Sequence, residues 1–147
     1  MRLQYTVQVP IRMFHIVRNP FNVITTIHRK RTRTSLSKAA DMFFARCETN
    51  WELMQAQPET IMTIKLEEMI ASPQAAVSGM CKFLGLAADA DYVKACSSIL
   101  FEKPRQSQSD IEWPTWLVDS VAKRAAEFPY LSGYQFMQQT REKRLAA

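Results

Sequence analysis

The stretch HIVRNPFNVITTIHRKRTR, residues 15–33, passes from apolar to strongly basic without one acidic side chain. Its first charged residue is Arg18, set between an apolar run and Asn19–Pro20. Thr26 follows eight residues later. Asn is a good helix N-cap and Pro a favoured first helical residue. Arg18 therefore stands at a strand-to-helix corner, with Thr26 two turns into the helix. A guanidinium fork, a hydroxyl and the partial positive charge of a helix N-terminus together suit a phosphate group. The same residues equally suit a surface salt bridge and a packed helix position, and spacing does not choose between the two.

The other reactive side chains offer less. His15 falls with Met13 and Val17 on one strand face, a packing position, and His28 falls at the far end of the helix, where it is expected to be solvated. Two histidines and no Cys-x-x-Cys pair make no zinc cluster, and no metal is expected. Cys47, Cys81 and Cys96 are an odd number, two of them on apolar stripes, as expected of buried free thiols in a reducing compartment. The run HRKRTR (28–33) reads as a solvated helix end whose cations complement the C-terminal dipole. It lacks the aromatic interleaving of a nucleic-acid surface, so nucleic acid is the weakest of the candidate partners. Trp51, Trp113 and Trp116 are expected to anchor the core or loops.

Charge is unevenly spread. Residues 1–40 hold eight Lys or Arg and no acid before Asp41, whereas the rest of the chain holds eleven basic and fourteen acidic residues. The positive field thus belongs to the N-terminal quarter and points to an anionic partner there. With 47% apolar residues the 147-residue chain can bury a core of one domain. No apolar run reaches membrane-spanning length and the N-terminus lacks a signal peptide's apolar core, which makes the cytoplasm the expected compartment.

The elements that must position Arg18 and Thr26 follow from periodicity. RMFHIV (12–17) is expected as a buried strand and residues 20–30 as a helix, held by packing because its run of β-branched residues propagates helix poorly. Leu36, Ala40, Phe43, Cys47, Trp51 and Met54 form one helical stripe within 35–57, closed by Pro58. TIMTIKL (60–66) is a second strand. Ser72–Pro73 opens a helix that buries Ala76, Val77, Met80, Cys81 and Leu84 and stops at Gly85. A short helix is expected over 89–98, a polar loop over 101–113, and a last helix over 115–128 with Leu117, Val121, Ala125 and Phe128 as its stripe. This order is α/β, with two parallel strands joined through helices. Two parallel strands alone make a poor sheet; LQYTVQV (3–9) adds a third at most, so open edges are expected.

FHIVRNPFNVITT resembles the second nucleotide-binding signature of the sulfotransferase family, a strand ending in Arg-Asn-Pro-x-Asp-Val and then a hydroxyl residue. TIKLEEMIASPQAAVSGMCKFLGL (63–86) is similar to that family's Tyr-Glu-Asp-Leu segment, with Glu67, Glu68, Pro73, Phe83, Leu84 and Gly85 in place. FEKPRQSQSDIEW with Gly133 and Tyr134 resembles its C-terminal cofactor loop and closing helix, without the glycine-rich form of that loop. Asn22 stands where the family usually has Asp, and Leu66 where cytosolic members commonly have Tyr near the adenine.

The resemblance implies an incomplete P-loop-like three-layer sandwich over residues 1–135, with a short parallel sheet flanked by helices, a helix-rich C-terminal half, and a frayed basic tail over 136–147. It implies sulfuryl transfer from 3′-phosphoadenosine 5′-phosphosulfate to a hydroxyl or amine. Arg18, Thr26 and Arg105 would hold the 3′-phosphate of that cofactor or of its product, 3′,5′-adenosine bisphosphate. The family's glycine-, Ser- and Thr-rich loop for the 5′-phosphosulfate has no counterpart here: the three glycines are Gly79, Gly85 and Gly133. Nor is its upstream general base present. The expectation is a truncated chain with little or no transfer activity alone. The alternative is a non-catalytic module pairing with a protein partner, or with its own copy, through an open sheet edge.

Overall fold

The computed structural model describes residues 10–31, 33–100 and 102–137. The expected strand over 3–9 and the tail from 138 onward lie outside these residues. In chain order the elements are β1 (Met13–Val17), α1 (Pro20–Lys30), α2 (Leu36–Ala56), β2 (Ile61–Lys65), α3 (Leu66–Ala71), α4 (Pro73–Leu84), α5 (Ala90–Ser98) and α6 (Thr115–Ala125). Single 3₁₀ turns cover Pro58–Thr60, Ser107–Asp110 and Pro129–Leu131. The architecture is α/β and helix-rich, with one two-stranded parallel sheet among the described residues. The chain forms two compact units, each assembled from two separate stretches: Met1–Val17 with Glu52–Pro104, and Arg18–Trp51 with Arg105–Ala147.

In the first unit β1 and β2 run parallel, with Met13 opposite Ile61, His15 opposite Thr63 and Val17 opposite Lys65. Alternation along β1 covers Met13, His15 and Val17 and leaves Phe14 and Ile16 36% and 49% exposed. The strand expected to be buried is therefore half open: among the described residues the sheet has two strands, too few to carry a closed layer on each face. Phe83 meets the Phe14 ring at 5.6 Å, and the Arg12 guanidinium lies 5.1 Å over the same Phe83 ring. β2 stops at Lys65, one residue short of expectation. Leu66 opens α3, with Glu67 and Glu68 in its first turn, where the helix dipole favours acids. Pro73 starts α4, and Gly85 ends it at φ +75°, the left-handed conformation that lets the Leu86 N–H bond Cys81 O at 2.9 Å. Asp89 caps α5 through the N–H groups of Asp91 and Tyr92. Val77, Cys81 and Val93 form a small core with Cys96 packed against it. Leu84, expected in that core, is 41% exposed.

In the second unit α1 is held by packing, as its weak propensity requires. Phe21, Ile24 and Thr25 are at most 1% exposed. Phe21 meets the rings of Trp113 at 5.3 Å and Phe136 at 5.1 Å, edge-on contacts worth about 1 kcal/mol each beyond burial. The Trp113 indole N–H donates to Thr25 Oγ1 at 3.2 Å, so neither buried polar group is left unpaired. On α2, Phe44 is fully buried beside Phe43 and Phe128, with the Arg124 guanidinium 4.2 Å over its ring. Arg124 also pairs with Asp41 and Glu48 on α2. The stripe expected on α6 is buried through Leu117, Val121, Ala125 and Phe128, though the helix itself ends at Ala125. Tyr130 donates to Cys47 O at 3.0 Å, and burial raises both the Tyr130 hydroxyl and the Cys47 thiol above their ordinary pKa values. All three cysteines are free thiols. Trp116, expected as an anchor, is instead 63% exposed.

Candidate anion-binding site

The second unit contains all three residues singled out for phosphate, and two of them meet the chain segment of the third. Arg18 directly follows β1. Its Nη2 donates to the main-chain carbonyl of Arg105, eighty-seven residues away. Thr26 is half-buried on α1, and its Oγ1 lies 3.3 Å from Ser107 Oγ. The 3₁₀ turn at Ser107–Asp110 thus lies along α1. It is bound there by Asn22: the Gln108 N–H donates to Asn22 Oδ1 at 2.9 Å, and Ser107 Oγ donates to Asn22 O at 3.0 Å. Residues 101–113 read in the sequence as a polar loop. Ser107 and Gln108 are instead 3% and 1% exposed, which is tolerable because their local partners replace water for the main chain and the hydroxyl.

The corner is largely satisfied from within. Asn19 caps α1 through its side chain, whose Oδ1 accepts the Phe21 N–H at 3.0 Å, while its carbonyl accepts from Asn22 N and Val23 N at 3.1 and 3.2 Å. Pro20 has no N–H to offer. The first-turn donors that a phosphate ordinarily meets at a helix N-terminus are therefore taken up by Asn19. What the terminus retains for an anion is its dipole. Thr26 donates to Asn22 O at 2.8 Å, so that one carbonyl receives two hydroxyls, from Thr26 and from Ser107. Either hydroxyl can turn to a ligand while the other keeps the carbonyl paired.

Two cations share one carboxylate. Asp110 Oδ2 accepts from Arg29 Nη1 and stands 3.4 Å from Arg105 Nη2. Arg29 belongs to the basic run expected to be only a solvated helix end; it is ion-paired here, one turn beyond Thr26. His28 is also partnered rather than merely solvated: its Nδ1 lies 2.7 Å from the Thr34 carbonyl, which can only accept, so Nδ1 carries the hydrogen. Arg18 Nε and both amide atoms of Gln108 are buried without a hydrogen-bond partner.

In the first unit His15 Nδ1 lies 3.4 Å from Thr63 Oγ1, and burial lowers its pKa. Among the described residues there is no group of three or more His, Cys, Asp or Glu placed to hold a metal ion, and no helix long and apolar enough to cross a membrane. Ser107, Gln108, Asp110 and Arg29 are the site residues that sequence reasoning missed. The string Gln106-Ser-Gln-Ser-Asp110 carried a hint, since such side chains habitually bond nearby main chain. No family model, curated protein or solved structure matches the chain.

Proposed function

We propose that the corner formed by Arg18, Thr26 and Arg105 binds the 3′-phosphate of an adenosine 3′,5′-bisphosphate nucleotide, in a protein of sulfotransferase type. The cosubstrate would be 3′-phosphoadenosine 5′-phosphosulfate, the reaction sulfuryl transfer to a hydroxyl or amine, and the fold an incomplete P-loop-like three-layer sandwich. One observation carries the reading. Residues chosen from separate motifs converge on one surface: Arg18 bonds the Arg105 main chain and Thr26 touches Ser107, across more than eighty residues of sequence. On binding, the Thr26 hydroxyl turns from the Asn22 carbonyl to a phosphate oxygen, and Ser107 keeps that carbonyl paired. Half-buried Arg18 supplies positive charge, and the largely exposed Arg105 side chain closes over the ligand.

Transfer itself needs donors at the leaving 5′-phosphate and a base at the acceptor. Neither role is assigned to a residue here, so binding with little or no turnover is the behaviour expected of this chain alone. Calorimetric titration with 3′,5′-adenosine bisphosphate tests the proposal. Wild type should bind, 5′-AMP should bind at least tenfold more weakly, and Arg18→Ala should lose about tenfold or more, the range for a charge-assisted hydrogen bond. Absence of heat, or equal binding by Arg18→Ala, would defeat it.

A second reading, a module that pairs through its sheet with another chain or copy, is favoured by the exposed Phe14 and Ile16 on β1. Sedimentation decides it. Concentration-dependent association abolished by Ile16→Asp supports pairing with its own copy, and a monomer at every concentration removes that form of pairing.

A further inference from the structure

Resting on the nucleotide-binding reading above, we propose that Asp110 is a built-in occupant of the anion site. Its carboxylate holds Arg29 and Arg105 in the free chain and gives them up to an incoming phosphate, so that Arg29 becomes a fourth phosphate-binding residue. The argument begins with geometry. One oxygen, Asp110 Oδ2, accepts from Arg29 Nη1 and faces Arg105 Nη2 at 3.4 Å. The same turn carries Ser107 against Thr26 and, through Gln108, is fixed to Asn22. Arg29 lies three residues beyond Thr26 and so on the same side of α1. The carboxylate therefore stands, with its two cations, on the turn that also meets the hydroxyl a phosphate would use.

Energetics favour exchange. The Arg29 and Arg105 side chains are 48% and 74% exposed, and ion pairs so solvated hold weakly. A phosphate monoester carries nearly twice the charge of a carboxylate and more acceptor oxygens, and it draws guanidinium forks more strongly. Asp110 thus serves two ends. It keeps like charges from repelling one another in the free protein, and it sets a threshold that monoanions do not cross.

The test uses the full chain, titrated calorimetrically with 3′,5′-adenosine bisphosphate and with 5′-AMP. Removing the competing carboxylate in Asp110→Asn should tighten bisphosphate binding by roughly fivefold, the scale of one partly screened charge at this distance. Binding of 5′-AMP, which lacks the 3′-phosphate, should stay unchanged. Arg29→Gln should weaken bisphosphate binding by a similar factor. Asp110→Ser, which also removes the charge, should reproduce the gain and guards against one misfolded variant. A carboxylate that only braces the turn would give unchanged or weaker binding in both Asp110 variants, and that result overturns the inference. If wild type binds and Arg18→Ala does not, while both Asp110 variants bind like wild type, the nucleotide-binding reading stands and this inference alone fails. Should neither wild type nor either Asp110 variant bind, both are overturned.

Discussion

Asn22→Ala tests whether the 3₁₀ turn is held by the Asn22 side chain. Asn22 is 4% exposed, and its Oδ1 is the acceptor for the N–H of Gln108, itself 1% exposed. Truncation to Ala leaves that N–H buried with no acceptor, a loss of about 1–3 kcal/mol. The hydroxyl bonds to the Asn22 carbonyl survive, because they use main chain. Gln108 already buries two unpaired amide atoms, so the turn has little polar pairing to spare. Taking about 2 kcal/mol for the loss and a urea slope of about 2 kcal/mol/M, the unfolding midpoint should fall by about 1 M. All three tryptophans lie in the unit concerned, so indole fluorescence during urea titration reports its unfolding directly. Ser109→Ala, which removes only a local bond to Gln106 O, is the control and should shift the midpoint by less than about 0.5 M. A midpoint for Asn22→Ala indistinguishable from the control would refute the reasoning, for the turn would then be held by something else.

Thr26→Val and Ser107→Ala should each cost less than about 1 kcal/mol, since the other hydroxyl still serves the Asn22 carbonyl; the double variant should lose more than their sum, which a double-mutant cycle in urea measures. Gly85→Ala meets no atom within 4 Å, so only its φ of +75° is at issue, and a loss of about 1–2 kcal/mol in thermal unfolding is expected. Because burial lowers the His15 pKa below 6.5, the unfolded chain binds the extra proton. The His15 contribution to the stability of the β1–β2 unit is therefore fully present above pH 6.5 and is lost as pH falls toward the lowered value, and His15→Gln should flatten that slope in amide-exchange or denaturation profiles. Phe44→Ala, opening a void beside Phe128 under the Arg124 guanidinium, should cost about 3–5 kcal/mol by fluorescence-detected unfolding.

Helices and strands were legible in the sequence because each leaves a local mark. Asn19–Pro20, Ser72–Pro73 and Gly85 announced helix ends, and the stripe Leu117–Val121–Ala125–Phe128 announced a buried face. Phe44 went unnoticed because Phe43 beside it already fitted the period, and an α2 buried on a wide arc admits both. Burial of Ser107 and Gln108 left no periodic trace, since it depends on pairing with Asn22 across some eighty-five residues. The ion pair of Arg29 with Asp110 was hidden likewise: a charge on a helix end looks solvated until the segment carrying its partner is placed beside it. Exposure of Phe14 and Ile16 had a readable cause, the small number of strands, but not a readable location.

Each unit is assembled from two stretches that interleave along the chain, which fixes an order of events during synthesis. Residues 10–17 and 52–104 are all made before Arg105 leaves the ribosome, so the β1–β2 unit can close while the partners of α1 do not yet exist. Arg18, Thr26 and Arg29 must wait as a bare cationic segment until residues 105–110 are made, and Phe21 waits longer still for Trp113 and Phe136. The corner of Arg18, Thr26 and Arg29 is thus completed only after the whole β1–β2 unit has been made. Until then Arg29 stands without the carboxylate of Asp110, and Arg18 without the Arg105 carbonyl.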